Sequence, residues 1–498
     1  MDKFIHILLW GQEIGSLMWK NGTGEAYFMY HPDFLKNPVE PFPLAARKGQ
    51  YPFKTYLSTE GKMFQHLPSF IADSLPDAWG NELFDQWVTS QKHISRKDIT
   101  PLDKLSFIGQ RGMGALEFVP ELSMKIPNEQ VDVAALAALA KKIYDQREKL
   151  VILPDESITM QMLLAVGTSA GGRQPKAILA MNPETREIHS GQIAGLDGYR
   201  YYIMKFGDKI RSTAELEMTY YELAKLAGIS MMPSQLWAVD DLNHFLTERF
   251  DRQNGQKLHT QTLAAMRPEA ESYEDLLLVC RELRLPESTS NELFRRMVFN
   301  YLANNTDDHN KNFSFMMNQE GLWSLAPAYD ITFIFNTSGY QPEHNHCLRM
   351  RGKWSDWTKT DVLDFAKDNG IVGAERIIQE VADSLTHFRN LAQKNGVKSQ
   401  WINCVEAAIN HHLVEWGYVQ AQINEWTTVQ GQIVQDARLE IVGQNVVKLC
   451  AIINGEEQHT FITHTKPEYS IVMQMGLVNV PAKVVRQWVE KYLIPQLC

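Results

Sequence analysis

The stretch that most constrains this chain is 302–312, Leu-Ala-Asn-Asn-Thr-Asp-Asp-His-Asn-Lys-Asn, where two adjacent carboxylates, a histidine, a lysine and four amides follow an apolar run. Phe294, Val298 and Leu302 recur every fourth residue, so the spacing predicts a helix whose buried face ends where the polar residues begin. Phosphoryl transfer needs a carboxylate to orient and deprotonate a hydroxyl, and a nearby amide oxygen to hold magnesium. A loop of the form Asp-x-x-x-x-Asn supplies both. Asp307 and Asn312 stand in that relation. A solvated turn ending a helix has the same composition, because Asn and Asp are favoured there, so the loop by itself leaves two readings.

The rest of the chain narrows them. Its 498 residues allow roughly two to four domains. A hydrophobic fraction of 44% and a charged fraction of 22% are those of an ordinary globular protein. The formal net charge of -10 speaks against broad direct contact with nucleic acid, which relies on clustered Lys and Arg. A role at DNA would have to come through a partner. Cys280, Cys347, Cys404, Cys450 and Cys498 are scattered and form no Cys-x-x-Cys pair, which fits a reducing cytoplasm rather than a disulfide framework. The apolar run 4–10 is too short for a membrane span and lacks a basic flank and a cleavage site, so it is expected to be a strand and the chain cytoplasmic.

Runs 4–9 and 26–30, with Asn21-Gly22 between them, are expected to pair as a hairpin opening a small mixed α/β region. This region continues through the Leu-Pro-punctuated helical stretches of 64–87 and the glycine-rich 105–118, and a helix is expected over 131–150. A loop of small residues, Ser169-Ala170-Gly171-Gly172-Arg173, then feeds an apolar strand. Its backbone amides can turn onto an anion, with Lys176 or Arg173 adding charge, although a plain hairpin loop fits as well. A strand over 199–206 carries Lys205, and the helix after it carries Glu217, the arrangement that holds nucleotide phosphates in kinases. A strand is expected over 245–252, helices over 273–283 and 290–302, paired short strands over 313–317 and 322–324, and a second carboxylate at Asp330. Helices are expected over about 360–425, then a β-rich segment with a hairpin at Asn454-Gly455 and a last helix at 481–493. His344, His346 and Cys347 offer three metal-ligand types, but a structural zinc site wants four and no fourth is near in sequence.

Taken in order, 169–176, 203–206, 248–252, 305–312 and 325–330 resemble the HipA family of bacterial serine/threonine kinases, and Ser74-Leu75-Pro76-Asp77 with Gly112-Met-Gly-Ala115 resemble its first domain. The resemblance implies an α+β, two-lobed protein-kinase-like fold with an N-terminal mixed α/β subdomain and a C-terminal extension. The corresponding boundaries are 1–125, 126–252 for the N-lobe, 253–425 for the helical C-lobe and 426–498. It implies ATP and Mg2+ as cofactors, Asp307 as the catalytic base, and Asn312 and Asp330 as the magnesium ligands. ATP would be bound by Ser169, Ala170, Gly171, Gly172, Lys176, Lys205, Glu217, Glu248, Phe250, His309 and Lys311, and Ser169 would be the site of autophosphorylation. The implied partners are a small helix-turn-helix antitoxin of the HipB type, DNA only through that antitoxin, and a protein substrate such as an aminoacyl-tRNA synthetase, with no membrane. Asp308 stands beside Asp307 where some members have glycine, which leaves open which of the two is the base. A small-molecule kinase and a non-catalytic co-repressor are the competing readings.

Overall fold

Alternating apolar residues build an antiparallel sheet at the N terminus of the computed structural model. The structure describes residues 2–48, 64–88, 98–122, 131–145, 174–191, 198–336 apart from 254, and 342–418, with shorter pieces between and after them. The sheet comprises β1 (Lys3–Leu9), β2 (Gln12–Lys20), β3 (Glu25–Tyr30), β4 (Tyr56–Leu57) and β5 (Leu116–Val119), in the order β4-β3-β2-β1-β5. The expected pairing of 4–9 with 26–30 is therefore corrected: β2 lies between them, and Asn21-Gly22 opens the β2–β3 turn. Gly15 interrupts the apolar alternation that would have revealed β2. A side chain there would meet the Met29 carbonyl at 2.5 Å and the Phe28 ring at 2.7 Å.

The second sheet comprises β6 (Lys176–Met181), β7 (Ile188–Ser190), β8 (Arg200–Lys205), β9 (Ser234–Val239) and β10 (Leu242–Glu248), ordered β7-β6-β8-β10-β9. The helix Thr213–Leu226 joins β8 to β9. Helices Ala78–Trp87 and Val133–Asp145 contribute Trp79, Leu83, Leu136 and Leu139 to a core shared with Leu179, Tyr202 and Met204, so a helix of the N-terminal region roofs this sheet. β10 ends at Glu248 rather than at 252, because Arg249, Asp251 and Arg252 turn into a buried ion cluster. The short hairpin β11 (Arg252–Gln253) and β12 (Gln256–Lys257) follows.

A third sheet, β13 (His259–Thr262), β14 (Ser314–Met317) and β15 (Trp323–Leu325), borders the largest core, which is mostly helical. Helices Tyr273–Glu282, Glu287–Leu302, Lys359–Asp368, Ala374–Leu385, Phe388–Asn395 and Ser399–Glu415 surround it. The expected helix to 425 stops at Glu415: Gly417, at φ +80°, allows Tyr418 N–H to reach the Leu413 carbonyl and closes the helix end. Beyond lie β16 (Ala421–Ile423), β17 (Trp426–Thr427), β18 (Ile433–Gly443), β19 (Val446–Ile453) and β20 (Glu456–Thr463), with β16-β18-β19-β20 in order and β17 on β18. Ile453 pairs with Glu456 across a two-residue connection, as Asn454-Gly455 predicts.

Candidate active site

The helix Glu287–Leu302 delivers the polar loop. Phe294, Val298 and Leu302 are buried on its inner face, as their spacing predicts. Past its end, the two adjacent carboxylates part company. Asp308 is 1% exposed and accepts from Tyr273 Oη (2.6 Å), His346 Nδ1 (2.8 Å), Cys347 N–H (2.7 Å) and Leu348 N–H (3.3 Å). Four donors fill the lone pairs of a carboxylate, so Asp308 is an anchor with no capacity left for a substrate proton. The Asp307 side chain is half exposed, with His309 Nε2 3.8 Å and Cys347 Sγ 3.9 Å from its Oδ1. Of the two, it is the carboxylate able to meet a substrate.

Asn312 closes the loop by donating Nδ2–H to the Asp307 carbonyl at 2.7 Å. A carbonyl accepts only a donor, so the Asn312 Oδ1 must be the atom turned away, available to a cation. Asn312 and Asp330 line one cavity with Asn300, Asn305, Asp308 and Tyr329. Asp330 sits at φ +54°, an uncommon backbone conformation for a non-glycine residue and one often found at functional sites.

Across from this loop, Lys205 at the end of β8 donates to Glu217 Oε1 (2.5 Å) and to Asp330 Oδ1. β8 and the helix Thr213–Leu226 thus present the strand lysine and helix glutamate that the sequence pairs. Burial works against the Lys205 ammonium, yet Asp330 and Glu217 together hold its pKa above the ordinary lysine value. Burial likewise opposes ionisation of Asp330, but Lys205 and Lys176 pull its carboxyl below the usual range. The result is a charged lysine between two carboxyl groups, with Asp330 on the cavity wall. Asn312 Oδ1 and a carboxylate oxygen are hard donors of the kind magnesium takes.

Lys176, at the start of β6, is 2% exposed, and its Nζ lies 3.5 Å from Asp77 Oδ2. Asp77 caps the helix Ala78–Trp87 by accepting from Gly80 N–H at 2.6 Å, so the Ser-Leu-Pro-Asp motif reaches the start of β6. Ser169, Ala170, Gly171 and Gly172 lie outside the described residues. Lys311 is exposed, its carbonyl accepting from Tyr329 Oη at 2.7 Å, and its N–H donates to His309 Nδ1 at 3.2 Å.

At the linker between lobes, Glu248 N–H donates to the Pro233 carbonyl at 2.9 Å, and Arg249 N–H to Tyr201 at 2.8 Å. Proline has no N–H to return the first bond, so the Glu248 carbonyl lacks the ladder partner that any other residue at 233 would supply. The Glu248 side chain is held by Arg200 (2.9 Å) and Tyr202 (3.3 Å), and Phe250 stacks on Tyr329 with centroids 5.5 Å apart.

Local pattern does not reveal the partners of Asp308, the Asp77–Lys176 pair or the contact of the Asp251 cluster with Gly112 and Gly114, because each joins residues tens to hundreds of positions apart. Ser-Leu-Pro-Asp and Gly112-Met-Gly114 are the signals that mark the far sides of the last two.

A small antiparallel sheet with one helix, a linker and a helical lobe carrying the Asp-x-x-x-x-Asn loop is a two-lobed, kinase-like α+β fold. The chain belongs to the HipA family: the HipA-like C-terminal domain matches over residues 168–388 and the HipA N-terminal domain over residues 5–119, together more than half of the chain. It is 23% identical over 287 residues to a Haemophilus influenzae protein named "Putative kinase", covering 50% of this chain and 82% of that protein. Among solved structures, it is similar to a chain of the Shewanella oneidensis MR-1 toxin–antitoxin complex of HipA, HipB and operator DNA. The TM-score is 0.57 at 17% identity, covering 82% of this chain and 96% of that one. No helix among the described residues is long and apolar enough to cross a membrane.

Proposed function

We propose that this chain is an ATP- and magnesium-dependent serine/threonine protein kinase and the toxin of a toxin–antitoxin pair. The observation that carries the reading is the Lys205 ammonium bridging Glu217 and Asp330, with Asp330 and Asn312 on one cavity and Asp307 half exposed in the same loop as Asn312. A hydrolase or a simple binding module has no need of that set together.

In this reading the Glu248 carbonyl meets the adenine edge and Phe250 flanks it. Lys205 pairs with the nucleotide's inner phosphates, while Lys176, His309, Lys311 and the 169–172 loop surround the outer ones. Magnesium, held by Asn312 Oδ1 and Asp330, neutralises phosphate charge when bound. Asp307 orients the hydroxyl of a protein serine or threonine and takes its proton as oxygen bonds to the γ-phosphorus and the bond to the ADP oxygen breaks. Autophosphorylation of Ser169 would add ~-1.5 to -2 charges beside the nucleotide phosphates and switch the kinase off. Operator DNA would be reached through a small helix-turn-helix antitoxin of the HipB type, as the net charge of -10 favours. A translation protein such as an aminoacyl-tRNA synthetase is the proposed substrate.

The test is phosphopeptide mapping of a cell extract incubated with ATP, magnesium and either wild type or Asp307→Asn. Loss of the base lowers transfer about 10²–10⁴-fold, while nucleotide affinity stays near wild type. Asp330→Ala weakens magnesium-dependent nucleotide binding instead. Near wild-type turnover by Asp307→Asn, with none by a folded Asp308→Asn, moves the base by one residue.

A further inference from the structure

The last turn of the helix Ser399–Glu415 carries His411, His412 and Glu415, three side chains the kinase reading does not use. One ligand atom from each lies within 4.8 Å of the other two. His411 Nε2 is 3.5 Å from Glu415 Oε1, and His412 Nδ1 is 3.7 Å from Glu415 Oε2. These separations are long for hydrogen bonds. Two ligands bonded to a tetrahedral ion at ~2.0–2.1 Å stand about 3.3–3.4 Å apart, so each histidine nitrogen lies within a few tenths of an ångström of that span from its own oxygen of the Glu415 carboxylate. We propose that His411, His412 and Glu415 form a site for a divalent transition ion of the zinc type, with the fourth position open to water.

Helical geometry favours the set, since positions four and three apart share a face and Glu415 is i+4 to His411 and i+3 to His412. The Nδ1 atoms of both histidines are shielded from solvent and make no hydrogen bond. For His412 that is the atom facing Glu415, and a cation between them would satisfy it. Imidazole nitrogens with one carboxylate select zinc-like ions over magnesium or calcium, which prefer all-oxygen sites. Glu415 is the final helical residue, and the negative end of the helix dipole adds to the attraction for a cation there.

The surroundings hold the ligands in place. The Tyr301 ring lies 4.7 Å from that of His412 and stacks on Trp357 (5.0 Å) and Trp416 (5.2 Å), walling one side with aromatic surface. Trp357 also stacks on His346, the residue that donates to Asp308. An ion at this turn therefore braces the same aromatic stack that supports the anchor of the Asp307 loop. The site is distinct from the one first considered in the sequence: His346 bonds to Asp308 and Cys347 faces Asp307, so neither joins a cluster with His344.

The full-length chain, stripped of metal and free of nucleotide and magnesium, is titrated with cobalt(II), whose visible absorption reports low-coordinate binding. The expected result is one equivalent bound per chain, the band displaced by one equivalent of zinc, and a rise in thermal midpoint on adding zinc. The His411→Gln/His412→Gln double variant and the isosteric Glu415→Gln lose at least tenfold in affinity and lose the zinc-dependent rise. The metal-free melting curve of Glu415→Gln matches wild type. Asp330→Asn keeps the cobalt band, which separates this site from the nucleotide cavity and the proposal from the kinase reading. A wild-type chain that binds no cobalt or zinc at tens of micromolar, or a cobalt band that survives in both variants, overturns it.

Discussion

Two buried ion clusters fasten the N-terminal subdomain to the kinase-like lobes, and they are built in opposite ways. At the linker, Asp251 is fully buried and accepts from Arg249 Nε (2.9 Å) and Nη2 (2.8 Å), from Arg252 Nη1 (2.7 Å) and from Gly114 N–H (2.7 Å). The two arginines donate onward to the Gly112 and Gly114 carbonyls. At the start of β6, Asp77 has a single lysine at 3.5 Å, and its Oδ2 makes no hydrogen bond. The ionisation of the two carboxylates diverges accordingly. Burial alone would raise both, but paired guanidinium forks drive Asp251 far below the ordinary range, whereas Asp77 stays up at about 6, with Asp330 repelling it further. Burial of a charge is more cohesive where several close donors meet it, as at Asp251, than where one cation stands at 3.5 Å, as at Asp77. The linker junction is a rivet, and the Asp77–Lys176 junction is the weaker fastening.

The largest test of that contrast is removal of the rivet's centre. Asp251→Ala leaves two buried guanidinium groups without their counter-charge and should cost about 3–5 kcal/mol of stability, read from urea unfolding. A cost below about 1 kcal/mol would mean the two junctions are alike.

The second test uses pH. A carboxyl whose folded pKa is raised stabilises fully below its unfolded value near 4, and the contribution is lost as pH rises through the folded value. Asp77 should therefore withdraw at most about 3 kcal/mol between about pH 4 and 6, seen as the difference between wild type and Asp77→Asn in thermal midpoint across that range. Asp251 works with the opposite sign. Its depressed pKa gives stability present above about pH 4 and lost only in stronger acid. A wild-type-minus-Asp77→Asn difference that stays flat from pH 4 to 7 would remove the contrast.

A third test is smaller. At pH 7 Asp77→Asn should change stability by about 1 kcal/mol or less, since the amide keeps the helix cap and removes an ill-paired charge. Of comparable size is Trp79→Phe, which deletes the indole donor to the Lys176 carbonyl (3.2 Å) and should cost about 0.5–1.5 kcal/mol. Both are read from the same unfolding curves.

The sequence made some of this legible and hid the rest for identifiable reasons. Lys205 on a strand, Glu217 on the next helix, and Asp307, Asn312 and Asp330 in order could be read because each is set by local pattern and spacing. The buried face 294–298–302 followed from helical period alone. β2 escaped because Gly15 and Ser16 break the period-two alternation, and the end of β10 escaped because Arg249–Arg252 belong to a cluster whose other half is Gly112–Gly114.

Local pattern thus carries the principal helices and strands in their order, β2 excepted, and the residue types that phosphoryl chemistry needs, since period, turn residues and caps act within a few positions. Which of two neighbouring aspartates is buried and which reaches solvent was decided only in three dimensions. Asp308 is claimed by Tyr273, His346, Cys347 and Leu348, which lie 35 to 40 residues away, and no local pattern carries that information. The same holds for Asp77 against Lys176 and for Tyr301 against His412, whereas the spacing of His411, His412 and Glu415 on one helical turn is local. Hydrogen bonds and ion pairs depend on distance through space, and only the packed chain sets those distances.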